Sequence, residues 1–224
     1  MIFEPLFDAA SSTWTYLIGD GGAAALVDPV LEQKERDLAR VKAHGLTLAF
    51  VIETHVHADH VTSAGALCAE TNAASVVFDS SPCTCASRRV KHAERIQTGG
   101  VSLEVIHTPG HTLESMSLRL GDRILTGDSL LIGTAARTDF QGGDAGQLFE
   151  SVHTRLFTLA DDTTVHPGHD YAGRVCSTIG VEKRTNERLA NRTREEFIVL
   201  MSGLNLPKPK RIDEAVPANL RLGR

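Results

Sequence analysis

Ten histidines, at 44, 55, 57, 60, 92, 107, 111, 153, 166 and 169, are spread unevenly along the chain, and seven of them crowd into three short segments. In the densest, THVHADH, His55, His57, Asp59 and His60 put four potential ligands within six positions. His111 follows in HTPGH, Asp128 in LTGDSLL and His169 in HPGHDY. Imidazole and carboxylate are the ligands of zinc, iron, manganese and nickel, and loops on a rigid scaffold are where such ligands are usually assembled. The seven residues His55, His57, Asp59, His60, His111, Asp128 and His169 therefore form a candidate metal constellation. Singly placed histidines have a plainer reading, and His44, His92 and His153 read as surface or satisfied core residues.

These ligands need strands that stop where they begin. LTLAFVIET (46–54) is an apolar, β-branched run that reads as a buried strand ending in the first histidine segment. Strand alternation continued through it would send His55 and His57 to the same side, with Asp59 and His60 in the following loop. VSLEVIHT (101–108) is a second strand, ending at Pro109-Gly110-His111, and TTVHPGHDY (163–171) a third. TWTYLIGD and AAALVDP read as a hairpin about Gly21-Gly22, and SMSLRL and RILTGD as another about Gly121-Asp122. Helices are predicted over 31–43, 63–71, 146–159, 181–192 and 194–203, with a further strand at 74–78 and a Pro-rich tail, NLPKPKRIDEAVPANL. Strands alternating with helices, but with hairpins among them, favour an α/β/β/α sandwich over a doubly wound parallel sheet.

Composition narrows the function class. The 224 residues carry 28 acidic and 23 basic side chains, a net charge of −5, which disfavours a nucleic-acid partner. SRRVKH (87–92) and PKPKR (207–211) read as solvated segments. No run reaches the ~18 apolar residues of a membrane helix, and MIFEPLFDAA lacks the basic start and apolar stretch of a secretory signal, so no membrane association is expected. Cys68, Cys83, Cys85 and Cys176 are too few and too irregular for a zinc knuckle and fit a reducing compartment, with the cytoplasm expected. Cys83 and Cys85 could be redox-active but form no recognised motif. The length fits one catalytic domain, 1–224.

T-H-x-H-x-D-H with a later TPGH, a GD and a further His resembles the metallo-β-lactamase fold superfamily along almost the whole chain. In dinuclear members the matching positions divide into His55, His57 and His111 on one metal and Asp59, His60 and His169 on the other, with Asp128 bridging. The continuation THVHADHVTSAG, the segment ARTDFQGG (136–143) and the tail NLPKPKRIDEAVPANL are similar to persulfide dioxygenases of the ethylmalonic encephalopathy protein type. That resemblance implies one Fe(II) per chain on His55, His111 and Asp128, a facial triad with open positions. His57, Asp59, His60 and His169 are then retained to orient and hydrogen-bond rather than to hold a second metal. The implied reaction oxidises glutathione persulfide with O2 and water to sulfite and glutathione.

Glutathione carries two carboxylates, so a cation near the iron is wanted. Arg137 is the first candidate, although it could instead pair with Asp139; the Tyr171 phenol and Arg221 follow. The chain departs from the family pattern at HTLES, at Ala136 and in SSPCTCASRRVKHAERIQ, which bears on substrate fit more than on metal binding. The alternative enzyme is a dizinc thioester hydrolase of the glyoxalase II type, against which the short C-terminus argues. A non-catalytic metal-binding protein is a third reading. A homodimer is the default assembly, and a separate sulfurtransferase is a candidate supplier of the persulfide.

Overall fold

The computed structural model describes residues 1–224. Gly21 and Gly22, both at positive φ, fold β2 (Thr13–Asp20) back on β3 (Ala23–Val27) as the sequence predicts. A strand that the sequence reading did not foresee, β1 (Ile2–Asp8), pairs with the outer side of β2. Its Pro5 is compatible because β1 is the edge strand of the sheet. A 3-10 turn (Leu31–Gln33) and α1 (Lys34–Ala43) lead to β4 (Thr47–Ile52), and α2 (Ala64–Thr71) leads to β5 (Ala74–Phe78). A short β6 (Arg88–Val90), inside the segment read as solvated, completes six strands in the order β1-β2-β3-β4-β5-β6.

The second sheet is built from β7 (Arg95–Thr98), β8 (Val101–His107), β9 (Met116–Leu120), β10 (Arg123–Gly127), β11 (Thr164–Pro167) and β12 (Ser177–Thr178), in the order β12-β11-β10-β9-β8-β7. Its helices are α3 (Ala145–Ser151), continued by a π turn (Val152–Leu156), α4 (Ile179–Thr185) and α5 (Arg194–Ser202). Alternation along the strands sets the layers. Tyr16 and Ile18 of β2 meet Leu103, Val105 and Leu118 of the opposite sheet, whereas Leu17 between them packs outward with Leu38, Val41 and Leu67 of the helices. On the far side Leu148, Val152, Leu156, Ile179 and Phe197 cover the second sheet. The expected α/β/β/α sandwich is the one formed. Truncating a fully buried centre such as Leu103 to Ala would cost ~2–5 kcal/mol.

Two helical expectations change. The helix foreseen over 181–192 stops at Thr185, because buried Asn186 leaves the helix and spends its side chain on the carbonyls of Leu131 and Thr134 and the amides of Arg188 and Leu189. The Pro-rich tail contains α6 (Ile212–Asn219) despite Pro217, anchored by an Arg211–Glu214 pair and by buried Ala215 and Asn219.

Strand directions position the site. β8 and β10 both run antiparallel to β9, and β11 runs parallel to β10, so the C-terminal ends of β8, β10 and β11 share one edge of their sheet. His111, Asp128 and His169 follow those three ends. The β4 end reaches the same edge from the other sheet, where Thr54 packs against Gly127; a Cβ at Gly127, which sits at φ +48°, would meet the Thr54 Oγ1 at 2.7 Å.

Candidate metal centre

β4 ends at Ile52, so His55 and His57 lie in a loop rather than on a strand, and the alternation expected of them does not hold. The loop is held from several sides. Asp28 accepts from the Thr54 amide and hydroxyl (both 2.7 Å), Glu114 from the Val56 amide (3.0 Å), and Asn219 donates to the carbonyls of His57 and His60 (2.9 and 2.8 Å). His55 and His57 consequently face different partners.

His55, His111 and Asp128 bring one ligand atom each within 4.8 Å of one another. Their neighbours decide which atoms are free. The Thr54 hydroxyl hydrogen is committed to Asp28, so its oxygen accepts from His55 Nδ1 (3.0 Å), leaving the Nε2 lone pair. His111 Nδ1 donates to the Arg137 carbonyl (2.7 Å), which likewise leaves Nε2, 3.7 Å from the second oxygen of Asp128. Burial drives the His55 pKa well below its ordinary value, so the ring is neutral, as a ligand must be. Two imidazole lone pairs and one carboxylate oxygen thus converge without competing partners, and the donor set fits a single divalent transition metal with further positions open.

The remaining histidine-loop residues are differently engaged. His169 bridges Asp128 (Nδ1, 2.8 Å) and Asp59 (Nε2, 2.9 Å), and Thr13 Oγ1 lies 3.0 Å from the same Nε2. Burial opposes a charge there, but the two carboxylates prevail and raise the His169 pKa well above its ordinary value. Burial likewise opposes ionisation of Asp128, and the charged, hydrogen-bonded His169 above all overcomes it, holding the carboxyl well below the usual range. His60 Nδ1 contacts Asp59 at 2.9 Å. His57 Nε2 lies 3.1 Å from Asp28 and 3.6 Å from Glu53; against the cost of burial, Asp28 above all pushes its pKa up to about 9. His57, Asp59 and His60 also bring ligand atoms within 4.8 Å, as do Asp28, Glu53 and His57.

His111, Asp128, Asp59 and His169 lie on the wall of a cavity of about 410 Å3, lined also by Leu131, Ala135, Phe140, Leu206, Pro207 and Pro209. That volume lies in the ~300–1,000 Å3 range of small-molecule sites. Arg137 is on this wall, but its guanidinium already pairs with both oxygens of Asp139 (2.7 and 2.8 Å), donates to the Pro207 carbonyl (2.7 Å) and lies over Phe140. Tyr171 is at the mouth, 78% exposed. Arg221 is exposed, bonds the Arg224 carbonyl and does not line the cavity. Arg188, which the sequence reading passed over inside an expected helix, does line it, holding the Ala135 carbonyl (2.6 Å) and pairing with no carboxylate. Thr13, Asp28, Glu114 and Asn219 were also missed. Only Asp28, at the end of an apolar strand before a proline, left a sequence signal.

Residues 9–84 match the family model of the metallo-beta-lactamase superfamily. The chain is 41% identical to the human persulfide dioxygenase ETHE1, mitochondrial, over 227 aligned positions covering all of this chain and 89% of that protein. The crystal structure of ETHE1 from Myxococcus xanthus superposes with a TM-score of 0.98 at 52% identity, with both chains covered in full. A hydroxyacylglutathione hydrolase of Anaeromyxobacter dehalogenans is 37% identical over 161 positions, 71% of this chain and 62% of that one.

Proposed function

Since the chain belongs to the persulfide dioxygenase family of the metallo-β-lactamase superfamily, we propose that it is an Fe(II) enzyme oxidising glutathione persulfide with O2 and water to sulfite and glutathione. The observation that carries the metal assignment is the uncommitted donor set of His55 Nε2, His111 Nε2 and Asp128 on a cavity wall. When bound there, ferrous iron supplies the one-electron chemistry that lets triplet O2 react with closed-shell sulfur.

The protein's own part is binding and orientation. The Asp59–His169–Asp128 chain fixes the carboxylate ligand, and the Arg137 carbonyl fixes His111. Arg188, with no carboxylate partner, is suited to a glutathione carboxylate; Arg137 holds the 206–209 strap against the cavity, and its pairing with Asp139 makes it the second choice for that contact. Tyr171 offers a phenol at the mouth, and Leu131, Phe140 and Leu206 supply an apolar part of the wall. No helix is long and apolar enough to cross a membrane. Four sparse and irregularly spaced cysteines support a reducing compartment, the cytoplasm in this reading.

Metal analysis of protein expressed without added metal, with O2 uptake on glutathione persulfide, tests the proposal. About one iron per chain with sulfite formation is expected. Two zincs per chain, hydrolysis of S-D-lactoylglutathione and no O2 uptake would overturn it in favour of the dizinc hydrolase, for which His57 would have to leave Asp28 for the first metal and Asp59, His60 and His169 would have to exchange their present partners for the second.

A further inference from the structure

Cys83 and Cys85, in the loop between β5 and β6, take no part in the chemistry above, yet their Sγ atoms lie 3.9 Å apart. The two thiols are unequal: Cys83 is buried and Cys85 is exposed. Arg89 clamps the loop through the carbonyls of Asp79, Ser81 and Cys83, and the Cys83 amide donates to Ser81 Oγ, so the Cys83 backbone is fixed. Cys85 is the outer thiol, and its Sγ lies 3.9 Å from the Leu220 carbonyl. Closing to a bond of about 2.05 Å requires roughly 2 Å of travel, within reach of side-chain rotation at the exposed cysteine.

We propose that Cys83 and Cys85 form a dithiol–disulfide exchange site for low-molecular-weight disulfides of the glutathione disulfide class. The Cys85 thiolate attacks one sulfur of glutathione disulfide; a Cys85–glutathione bond forms, the glutathione S–S bond breaks, and one glutathione leaves with the proton that Cys85 gave up. Cys83 then loses its proton and attacks the Cys85 sulfur, closing the Cys83–Cys85 bond and releasing the second glutathione with that proton. Two cysteine thiols are oxidised by two electrons and glutathione disulfide is reduced to two thiols. Accessibility sets the order: burial pushes the Cys83 thiol up, so the outer cysteine attacks and the inner one resolves. A ring spanning three residues is strained and readily reopened, which makes it an exchange site and not a structural bridge.

The site backs onto the metal loop. Cys83 lines a cavity of about 10 Å3, room for one water, shared with His55 and Glu114. Leu220 adjoins Asn219, which holds the His57 and His60 carbonyls.

Intact-mass and peptide mapping of the metal-loaded full chain, after incubation with glutathione disulfide, test the proposal. The unaltered protein should lose two hydrogens at Cys83–Cys85 and regain them with excess reduced glutathione. Cys83→Ser should retain one glutathionyl group on Cys85, while Cys85→Ser should leave Cys83 unmodified. Persistent free thiols at both positions, a stable glutathionyl group on the unaltered protein, or modification of Cys83 in Cys85→Ser as fast as the unaltered pair reacts would each overturn it.

Discussion

Two groups of histidine-loop residues stand side by side at one sandwich edge and have opposite electrostatic surroundings. In the first, His55 and His111 give their Nδ1 hydrogens to a hydroxyl and a carbonyl, neutral acceptors that leave a lone pair on each ring. In the second, His57 and His169 face the carboxylates of Asp28, Asp59 and Asp128, which favour the charged ring over the lone pair. A hydroxyl or carbonyl behind an imidazole prepares a ligand. A carboxylate pair around it prepares a cation that steers a ligand.

The contrast can be broken most severely at the donors themselves. His111→Ala and Asp128→Ala should reduce iron content and persulfide-dependent O2 uptake to background, measured by metal analysis and an oxygen electrode on folded protein. Retention of stoichiometric iron in either would mean that the second group holds the metal.

His169→Gln should act through Asp128, lowering iron affinity by roughly 10–100-fold while leaving the metal loadable at high concentration. Complete loss, equal to that of His111→Ala, would make His169 a direct ligand and erase the distinction. A titration with ferrous iron under anaerobic conditions separates these outcomes.

Away from the metal, Arg188→Ala should raise the KM for glutathione persulfide by about tenfold, as expected for one charge-assisted contact worth roughly 1.5 kcal/mol. Arg137→Ala should also mainly raise KM and keep its iron, because His111 is held by the Arg137 backbone and not by the guanidinium. Iron loss in Arg137→Ala would show that the side chain maintains the centre.

The last effect is on stability and not on turnover, and concerns His166, packed on Phe3 at 4.6 Å. Burial lowers its pKa to about 4 from an ordinary 6.5. Below 6.5 the unfolded chain binds this proton and the folded chain does not, so the stability is intact above 6.5 and is lost as pH falls toward 4. His166→Phe should remove roughly 2 kcal/mol of acid destabilisation between pH 7 and pH 4.5, read by denaturant unfolding of both proteins. An unchanged pH profile would mean that His166 is already charged in the fold.

Much of the fold was legible because periodicity survives in isolated segments: β2, β3, β5, β8 and the hairpin of β9 and β10 fall where the apolar runs and glycine turns predict. What was missed was made by neighbours. β1 and β6 carry weak patterns and exist through pairing with β2 and β5, and the helix over 181–192 was cut short by contacts of Asn186 with residues some 50 positions earlier.

The same division runs through the site. The residue types and their spacing in THVHADH, TPGH, GD and HPGH determined that a metal would be sought here and on which side chains, since ligand chemistry belongs to the residue. Tertiary structure decided which ring nitrogen is free and which arginine is unpaired. Those properties depend on acceptors at Arg137, Asp28 and Asp59 brought within about 3 Å from far along the chain, and on Asp28 taking the hydroxyl hydrogen of Thr54 so that its oxygen accepts from the adjacent His55; a hydrogen bond of that length has no trace in sequence distance.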